Sequence, residues 1–378
     1  MSRAYQDAAS RWAGVGPYYA MFPVAFADEV VRTHTRPGET VLDPFAGRGT
    51  AIFSAATQFR SAIGIEINPV GYVYAKAKLS PAGRDKVELR LDELAERAGQ
   101  FEDEAASLPQ FFHRCFSRRV CRFLLSARTD LNWRHNKVDC TLMALLLVYL
   151  HGKMGAALSN QLRQTKSMSP QYAIRWWDQH KLEPPDIDPV AFVKVRLAWR
   201  YAKGTPEIRS GRMYLGDSAK KLGRLHRQVG NGSLAKASLL FTSPPYHGVT
   251  NYHYDQWLRL WLLGYPPNAL RNGNGRGGKF EARNEYRRLL EHVFTRAAKL
   301  LEEDATVYVR TDSRDFTYLT TVAVLRQVFP DKCLTEVRRP MLNPSQTRLF
   351  GEASAPAEKN GEVDLILQPC PISLAKPN

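Results

Sequence analysis

"ETVLDPFAGRGTAIFSAA", residues 39–56, decides how the rest of the chain is read. Thr40, Val41 and Leu42 form a short strand-like run, Gly47 and Gly49 supply a tight turn, and small residues after Thr50 suit a closely packed helix. A strand that bends through two glycines into a helix lets a ligand approach its backbone. The loop lacks the lysine and Gly-Lys-Ser/Thr ending of a triphosphate-binding loop, so a nucleoside ligand without a triphosphate fits it better. The next segment, "SAIGIEINP" (61–69), reads as a second buried strand ending on Glu66. An acidic side chain there is placed to accept hydrogen bonds from ribose hydroxyls. Together the two segments open as a βαβ unit.

Further strand candidates are "RMYLGD" (212–217), "ASLLFTS" (237–243), "ATVYVRTD" (305–312), "KCLTEVRRP" (332–340) and "EVDLILQP" (362–369). Helical patterns separate most of them, notably "EYRRLLEHVFTRAAKLLEED" (285–304). This alternation predicts an α/β fold with a mostly parallel, doubly wound sheet, and the closely spaced last strands predict an antiparallel edge. Between residues 81 and 205 the strands give way to helix-like segments, among them "CTLMALLLVYL" (140–150) and "PVAFVKVRLAWRYAKG" (189–204). The chain is therefore expected to form a discontinuous catalytic domain, 1–80 and 206–378, carrying a helical insertion at 81–205. Residues 264–284 and 343–362 are rich in Gly, Pro and Asn and read as mobile loops.

The composition is that of a globular protein, with 44% hydrophobic and 24% charged residues among 378. Fifty-three Lys and Arg against 37 Asp and Glu leave a formal charge of +16, which favours a polyanionic partner, nucleic acid first. No apolar run is long enough to span a bilayer, and the start "MSRAYQDAAS" lacks the apolar core of a signal peptide, so a cytoplasmic location is expected. Five cysteines form no CxxC pair, which argues for reduced thiols and against a zinc site.

A second motif follows the strand candidate at 237–243. "TSPPY", Thr242 to Tyr246, leaves a buried strand through two rigid prolines and then presents an aromatic ring. His247 in place of a second tyrosine rules out a Pro-Pro-x-Tyr ligand for a WW module.

Taken with "DPFAGRGT" and "GIEINP", this motif resembles motifs I, II and IV of the S-adenosylmethionine-dependent DNA amino-methyltransferases. Those enzymes methylate N4 of cytosine or N6 of adenine and are related to restriction systems. The resemblance covers roughly residues 15–80 and 210–370 and implies a Rossmann-like class I methyltransferase fold. It implies that Asp43, Phe45, Gly47, Gly49 and Thr50 line the cofactor pocket, that Glu66 holds the ribose, and that Asp217 and Ser218 lie near the adenine. "YYAMFP" (18–23) resembles the family's motif X, which makes Tyr19 and Phe22 candidates for packing against the cofactor, whose sulfonium suits aromatic faces.

The chemistry accounts for the odd loop. An exocyclic base amine is a poor nucleophile because its lone pair is delocalised into the ring. Ser243 and the carbonyl of Pro244 can accept its two N–H groups and aim the lone pair at the methyl carbon. Pro244 and Pro245 stiffen the acceptor and remove competing donors. Tyr246 can stack on a base rotated out of the duplex, as methyltransferases require. Serine in the first position resembles the cytosine-N4 enzymes, where adenine-N6 enzymes usually carry Asp or Asn. The expected activity is thus cytosine-N4 methylation within a specific sequence of double-stranded DNA, in a bacterial cytoplasm at the nucleoid, with a restriction endonuclease as a candidate partner. Adenine-N6 methylation is the alternative, followed by methylation of structured RNA or a noncatalytic DNA-binding module.

Other residues divide by their setting. His247 and His253 read as structural or DNA-contacting, since a protonated amine product loses its proton to water. Trp257, Leu258, Trp261 and Leu262 at helical spacing read as core, which leaves Arg259 on another face to meet phosphate. Lys153, Arg163, Lys166, Arg175 and the Trp176-Trp177 pair are candidate DNA contacts in the insertion. Arg271 and Arg276 are candidates in the glycine-rich loop. Here the cofactor motif precedes the catalytic motif, whereas many Ser-Pro-Pro-Tyr enzymes run in the opposite order. A circularly permuted sheet keeps every contact, but the segment that reads the target is then not assigned by the resemblance.

Overall fold

The computed structural model describes residues 5–17, 22–248, 252–269, 282–339 and 361–371, leaving aside the side chains of 252 and 253. Seven strands form one sheet: β1 Thr40–Asp43, β2 Ser61–Glu66, β3 Ser210–Leu215, β4 Ala237–Thr242, β5 Leu301–Asp312, β6 Lys332–Arg339 and β7 Glu362–Pro369. Their order is β3-β2-β1-β4-β5-β7-β6. β3, β2, β1, β4 and β5 pair in parallel, and β7 runs antiparallel between β5 and β6. The sheet is the Rossmann-like, mostly parallel one expected, with its antiparallel pairing confined to the last strands.

The topology fixes where a ligand can enter. From β1 the chain steps outward to β2 and β3, then returns to β4 on the other side of β1. The crevice beyond the carboxyl ends of β1 and β4 is the switch point at which open α/β sheets bind ligands. Both sequence motifs leave the sheet at this crevice, one after Asp43 and the other after Thr242.

Alternation along the strands sorts two cores, because successive side chains point to opposite faces. Val41, Leu239 and Phe241 face a cluster shared with Ala51, Ile52, Val73, Leu124 and Leu146. Leu42, Ile63 and Leu240 face the other, with Leu222, Leu225, Leu290, Val293 and Val324. The helices between β2 and β3, including Arg84–Arg97, Arg118–Asp130, Lys137–Tyr149 and Pro189–Tyr201, all contribute to the first cluster. Trp257, Leu258, Trp261 and Leu262 are buried in it, as their spacing predicts.

Two expectations are corrected. The helical pattern read through to residue 304, but the helix ends at Ala298 and Leu301 already begins β5. Leu301 pairs with Ala237, and a register shift between Ala237 and Leu239 accommodates the exposed Glu302, Glu303 and Asp304. Sheet pairing outcompetes local helix propensity there. The cysteines are not all reduced thiols: Cys333 and Cys370 form a disulfide. Their separation of 37 residues hid a contact that the antiparallel β6–β7 pairing creates by setting Cys333 opposite Gln368. Cys115, Cys121 and Cys140 are free and buried. Among the described residues no helix is long and apolar enough to cross a membrane, and no cluster of three metal-ligating side chains occurs.

Candidate active site

The glycine loop after β1 is held from below. Gly49 adopts a left-handed conformation, φ 76° and ψ 40°, at the start of the helix Thr50–Thr57. A side chain there would be strained, so glycine is the residue the turn requires. Glu66, at the end of β2, accepts the Gly47 N–H on Oε2 and the Asn68 N–H on Oε1, each at 2.7 Å. The carboxylate predicted to hold a ribose therefore also braces the loop. Burial pushes the Glu66 carboxyl up to about 7, against the backbone donors that pull it down.

Asp43 closes β1 and is 2% exposed. Its Oδ1 accepts the Thr242 hydroxyl at 2.6 Å and the Phe45 N–H at 3.0 Å. Burial pushes this carboxyl up to about 7 as well, with Glu66 adding to the rise and the two donors opposing it.

A pocket opens above these groups. Phe22, Asp43, Phe45, Gly47, Arg48 and Thr50 line it from the amino-terminal segment, and Ser243 and Tyr246 line it from the loop after β4. The crevice thus brings together the candidates of two motifs that lie about two hundred residues apart. Phe22 reaches it by stacking on Phe241, with ring centroids 4.6 Å apart. Tyr19 lies outside the described residues. Pro244 is buried and Pro245 half-buried, and neither is among the residues lining the pocket. Asp217 and Ser218 stand beside the pocket rather than in its lining. Asp217 caps the helix Ser218–Gly230 through the Lys220 N–H, and the Ser218 hydroxyl donates to the Pro44 carbonyl at 2.5 Å.

Sequence patterns alone did not single out four lining residues: Ala46 and Arg48 within the glycine loop, Arg310 of β5 and Glu362 of β7. The Tyr246 hydroxyl donates to Glu362 Oε1 at 3.0 Å, and the Ser243 hydroxyl donates to the Tyr246 oxygen at 3.4 Å. Burial, then the Glu362 charge, drives the Tyr246 phenol well above its ordinary value, so it stays a neutral donor. Glu362 Oε2 faces Arg310 Nη1 at 3.4 Å. Arg310 also binds both oxygens of the fully buried Asp364, at 2.6 and 3.0 Å, and its guanidinium lies 3.6 Å from the centre of the Phe26 ring. The signal was present in the sequence: "ATVYVRTD" and "EVDLILQP" each set charged residues inside an otherwise apolar strand, where a charge needs a partner.

The candidate DNA contacts separate. Lys153, Arg163 and Arg175 are exposed. Lys166 pairs with the buried Asp255 at 2.6 Å. Arg259 is a correction: it is fully buried, donating to the Leu147 carbonyl at 2.9 Å and Gln256 Oε1 at 2.7 Å and to the Gln164 carbonyl. It ties the helix Trp257–Leu262 to the preceding helices and is not presented to phosphate. Trp177 is likewise core, donating to the Gln161 carbonyl, while Trp176 stacks on His180. His247 packs edge-on against Phe316 and Tyr286, in keeping with a structural role. Arg271, Arg276 and the side chain of His253 lie outside the described residues.

Comparison with known proteins agrees with the loop geometry. Residues 2–76 match the family model of the DNA methylases, N6_N4_Mtase. Type II methyltransferase M.Cfr9I of Citrobacter freundii is 39% identical over 54 residues, 14% of this chain and 18% of that protein. Type II methyltransferase M.MjaII of Methanocaldococcus jannaschii is 26% identical over 88 residues, 23% of this chain and 17% of that protein. The matches thus span less than a fifth of the length of these curated relatives. Among solved structures, the rRNA methyltransferase aviRa from Streptomyces viridochromogenes is similar with a TM-score of 0.36 and 16% identity, over 97% of this chain and 96% of that one. That likeness is too loose to bear on substrate. The segment carrying the glycine loop, within residues 2–76, is thus similar to the DNA methylases of that family, and S-adenosylmethionine is the expected cofactor.

Proposed function

We propose that the chain is a DNA methyltransferase that transfers a methyl group from S-adenosylmethionine to the exocyclic N4 amine of a flipped cytosine. The observation that carries this reading is the single pocket lined at once by Asp43, Phe45 and Gly47 of the glycine loop and by Ser243 and Tyr246 of the Thr-Ser-Pro-Pro-Tyr loop. The residues suit the cofactor: a carboxylate, two phenylalanine residues and the glycine loop converge where an amino acid bearing a sulfonium has to be held. When bound, S-adenosylmethionine supplies an activated methyl group on sulfur.

The chain's own residues supply the rest. Asp43 offers a buried carboxylate in the pocket lining, and Glu66, which is not in that lining, braces the glycine loop and is the ribose acceptor that the resemblance implies. Ser243 and the Pro244 carbonyl accept the N–H groups of the target amine and orient its lone pair. The ring of Tyr246 replaces the stacking that the base loses on leaving the duplex. Glu362 fixes that ring from behind through the phenol. The amine proton released after transfer passes to water.

Serine at position 243 favours cytosine-N4 over adenine-N6, by resemblance to enzymes that use Asp or Asn there for adenine. Target reading falls to the helical insertion, the loops after the Thr242–Tyr246 motif, or both, and Lys153, Arg163 and Arg175 of the insertion are exposed cations available to DNA. A bacterial cytoplasmic setting and a companion restriction endonuclease fit an enzyme of this kind. The test is incubation of the purified protein with S-adenosylmethionine and unmethylated genomic DNA, followed by nucleoside mass spectrometry. N4-methylcytosine is the expected product. N6-methyladenine would retain the mechanism and reverse the base assignment. Absence of any methylated base with cofactor binding intact would remove DNA as the substrate.

A further inference from the structure

A second feature lies outside the pocket, on the opposite face of the sheet from the helices inserted between β2 and β3. The helix Ser218–Gly230 meets the helix Arg283–Ala298 along a surface groove lined by Ala219, Lys220, Gly223, Arg224, Arg227 and Arg296. Within its span the first helix carries Lys220, Lys221, Arg224 and Arg227 and no Asp or Glu. Among the described residues none of the four lining cations enters an ion pair. The neighbouring Glu291 is already taken by Arg287 at 2.7 Å.

Gly223 adds an independent observation. It sits in the middle of a helix, where glycine is less stable than alanine. A Cβ added there would meet nothing within 4 Å, so packing does not require the missing side chain. Ala219, Gly223 and the surrounding cations therefore make a low floor with charged walls, which admits a bulky anion close to the helix backbone.

We infer that this groove is a phosphate track for the backbone of duplex DNA, separate from the pocket that takes the flipped base. The inference rests on the reading of the chain as a DNA methyltransferase. Lys220 to Arg227 spans about 10 Å at ~1.5 Å per residue, close to three base-pair steps at ~3.4 Å each. The first lining cation, Lys220, lies two residues after Ser218, whose hydroxyl anchors the same helix to the glycine loop through the Pro44 carbonyl. DNA engaged at the pocket is thereby offered a second, sequence-independent hold along its flank.

The test measures binding of labelled duplex DNA to the full-length protein by fluorescence anisotropy over a range of salt concentrations. For the variant K220Q/R224Q/R227Q/R296Q, the slope of log affinity against log salt falls by about 2 to 4, near 0.9 for each phosphate no longer neutralised. The charge-conserving variant R224K/R227K/R296K keeps the wild-type slope. Gly223→Leu fills the groove, raises the thermal midpoint and weakens duplex binding several-fold. S-adenosylmethionine affinity and circular dichroism of all variants stay at wild-type values, which separates loss of the track from loss of the fold. A wild-type slope in the quadruple glutamine variant overturns the track while leaving the methyltransferase reading intact. Loss of RNA binding with duplex binding preserved overturns it in favour of an RNA surface. A wild-type protein with no salt-dependent duplex binding overturns both readings.

Discussion

Thr242 Oγ1 donates to Asp43 Oδ1 across 2.6 Å, joining the ends of two adjacent parallel strands whose residues are 199 positions apart. Both groups are buried, with Thr242 at 0% and Asp43 at 2% exposure. The bond couples the loop expected to hold the cofactor to the loop expected to hold the base. Thr242→Val keeps the shape and removes the donor. The expected result is a loss of about 1–3 kcal/mol in stability, the cost of leaving a buried acceptor short of a partner, together with weaker cofactor binding near neutral pH. Chemical denaturation and calorimetric titration check both. A variant unchanged in each would reduce the bond to a bystander.

The raised carboxyls give this site a pH dependence of defined sign. Asp43 and Glu66 are both lifted to about 7, chiefly by burial. Between the ordinary carboxylate range and about 7 the folded chain holds protons that the unfolded chain has released. Their contribution to stability is therefore full at low pH and is lost as pH rises through about 7. A cationic ligand needs the ionised form of Asp43. Affinity for S-adenosylmethionine is expected to rise between pH ~6 and ~8, with proton release on binding at neutral pH. Calorimetry in buffers of different ionisation enthalpy measures it. Asp43→Ala weakens binding at all pH values, and Asp43→Asn flattens the profile. A flat wild-type profile removes Asp43 as the partner of the cation.

Much of this site was legible because its parts are local. A strand ending in Asp43, a Gly-x-Gly turn and a carboxylate closing the next strand are adjacent in sequence, and the physics of a βα turn acts on neighbouring residues. The Thr242–Tyr246 loop was legible for the same reason, as was the core stripe from Trp257 to Leu262. What stayed hidden depends on non-local pairing. Arg259 looked free because its helical face was counted without the carbonyls of Leu147 and Gln164 that enclose it. The Cys333–Cys370 bond and the approach of Glu362 to Tyr246 exist only because β7 doubles back between β5 and β6.

Tyr246 lines the pocket and has two separable parts, an aromatic ring and a hydroxyl tied to Glu362. Tyr246→Ala removes both. Stacking of a base on an aromatic ring is worth about 1–3 kcal/mol, so turnover is expected to fall by roughly 5- to 150-fold, with cofactor affinity near wild type. Tyr246→Phe keeps the ring and is expected to retain most of the activity. Single-turnover methylation assays with parallel cofactor titrations distinguish the parts. Collapse of cofactor binding in the alanine variant would move the tyrosine to the cofactor side of the pocket. A phenylalanine variant as impaired as the alanine one would shift the work from the ring to the phenol and its Glu362 partner.

Behind Glu362 lies the charge cluster that holds β5, β6 and β7 in register beside the pocket. Asp364 is fully buried and accepts from Arg310 Nε and Nη2, from the Tyr308 hydroxyl at 2.8 Å and from Arg339 Nε at 2.9 Å. Burial alone would raise its carboxyl, but the Arg310 and Arg339 contacts and the phenol hold it below the ordinary value. Its contribution to stability is therefore present above the ordinary carboxylate range and lost as acid protonates it. Asp364→Ala leaves Arg310 buried without its main partner and is expected to cost about 3–5 kcal/mol. Arg310→Met in the same background removes the stranded charge and recovers much of that loss, since a buried pair and an apolar pair differ little in net stability. Arg339→Ala costs no more than about 1 kcal/mol because its side chain is half-exposed and screened by solvent. A double-mutant cycle of Asp364 and Arg310 by urea denaturation reads the coupling directly. Additive effects would mean that the two groups do not depend on each other, and that Phe26 and the strand pairing hold Arg310 in place without the carboxylate.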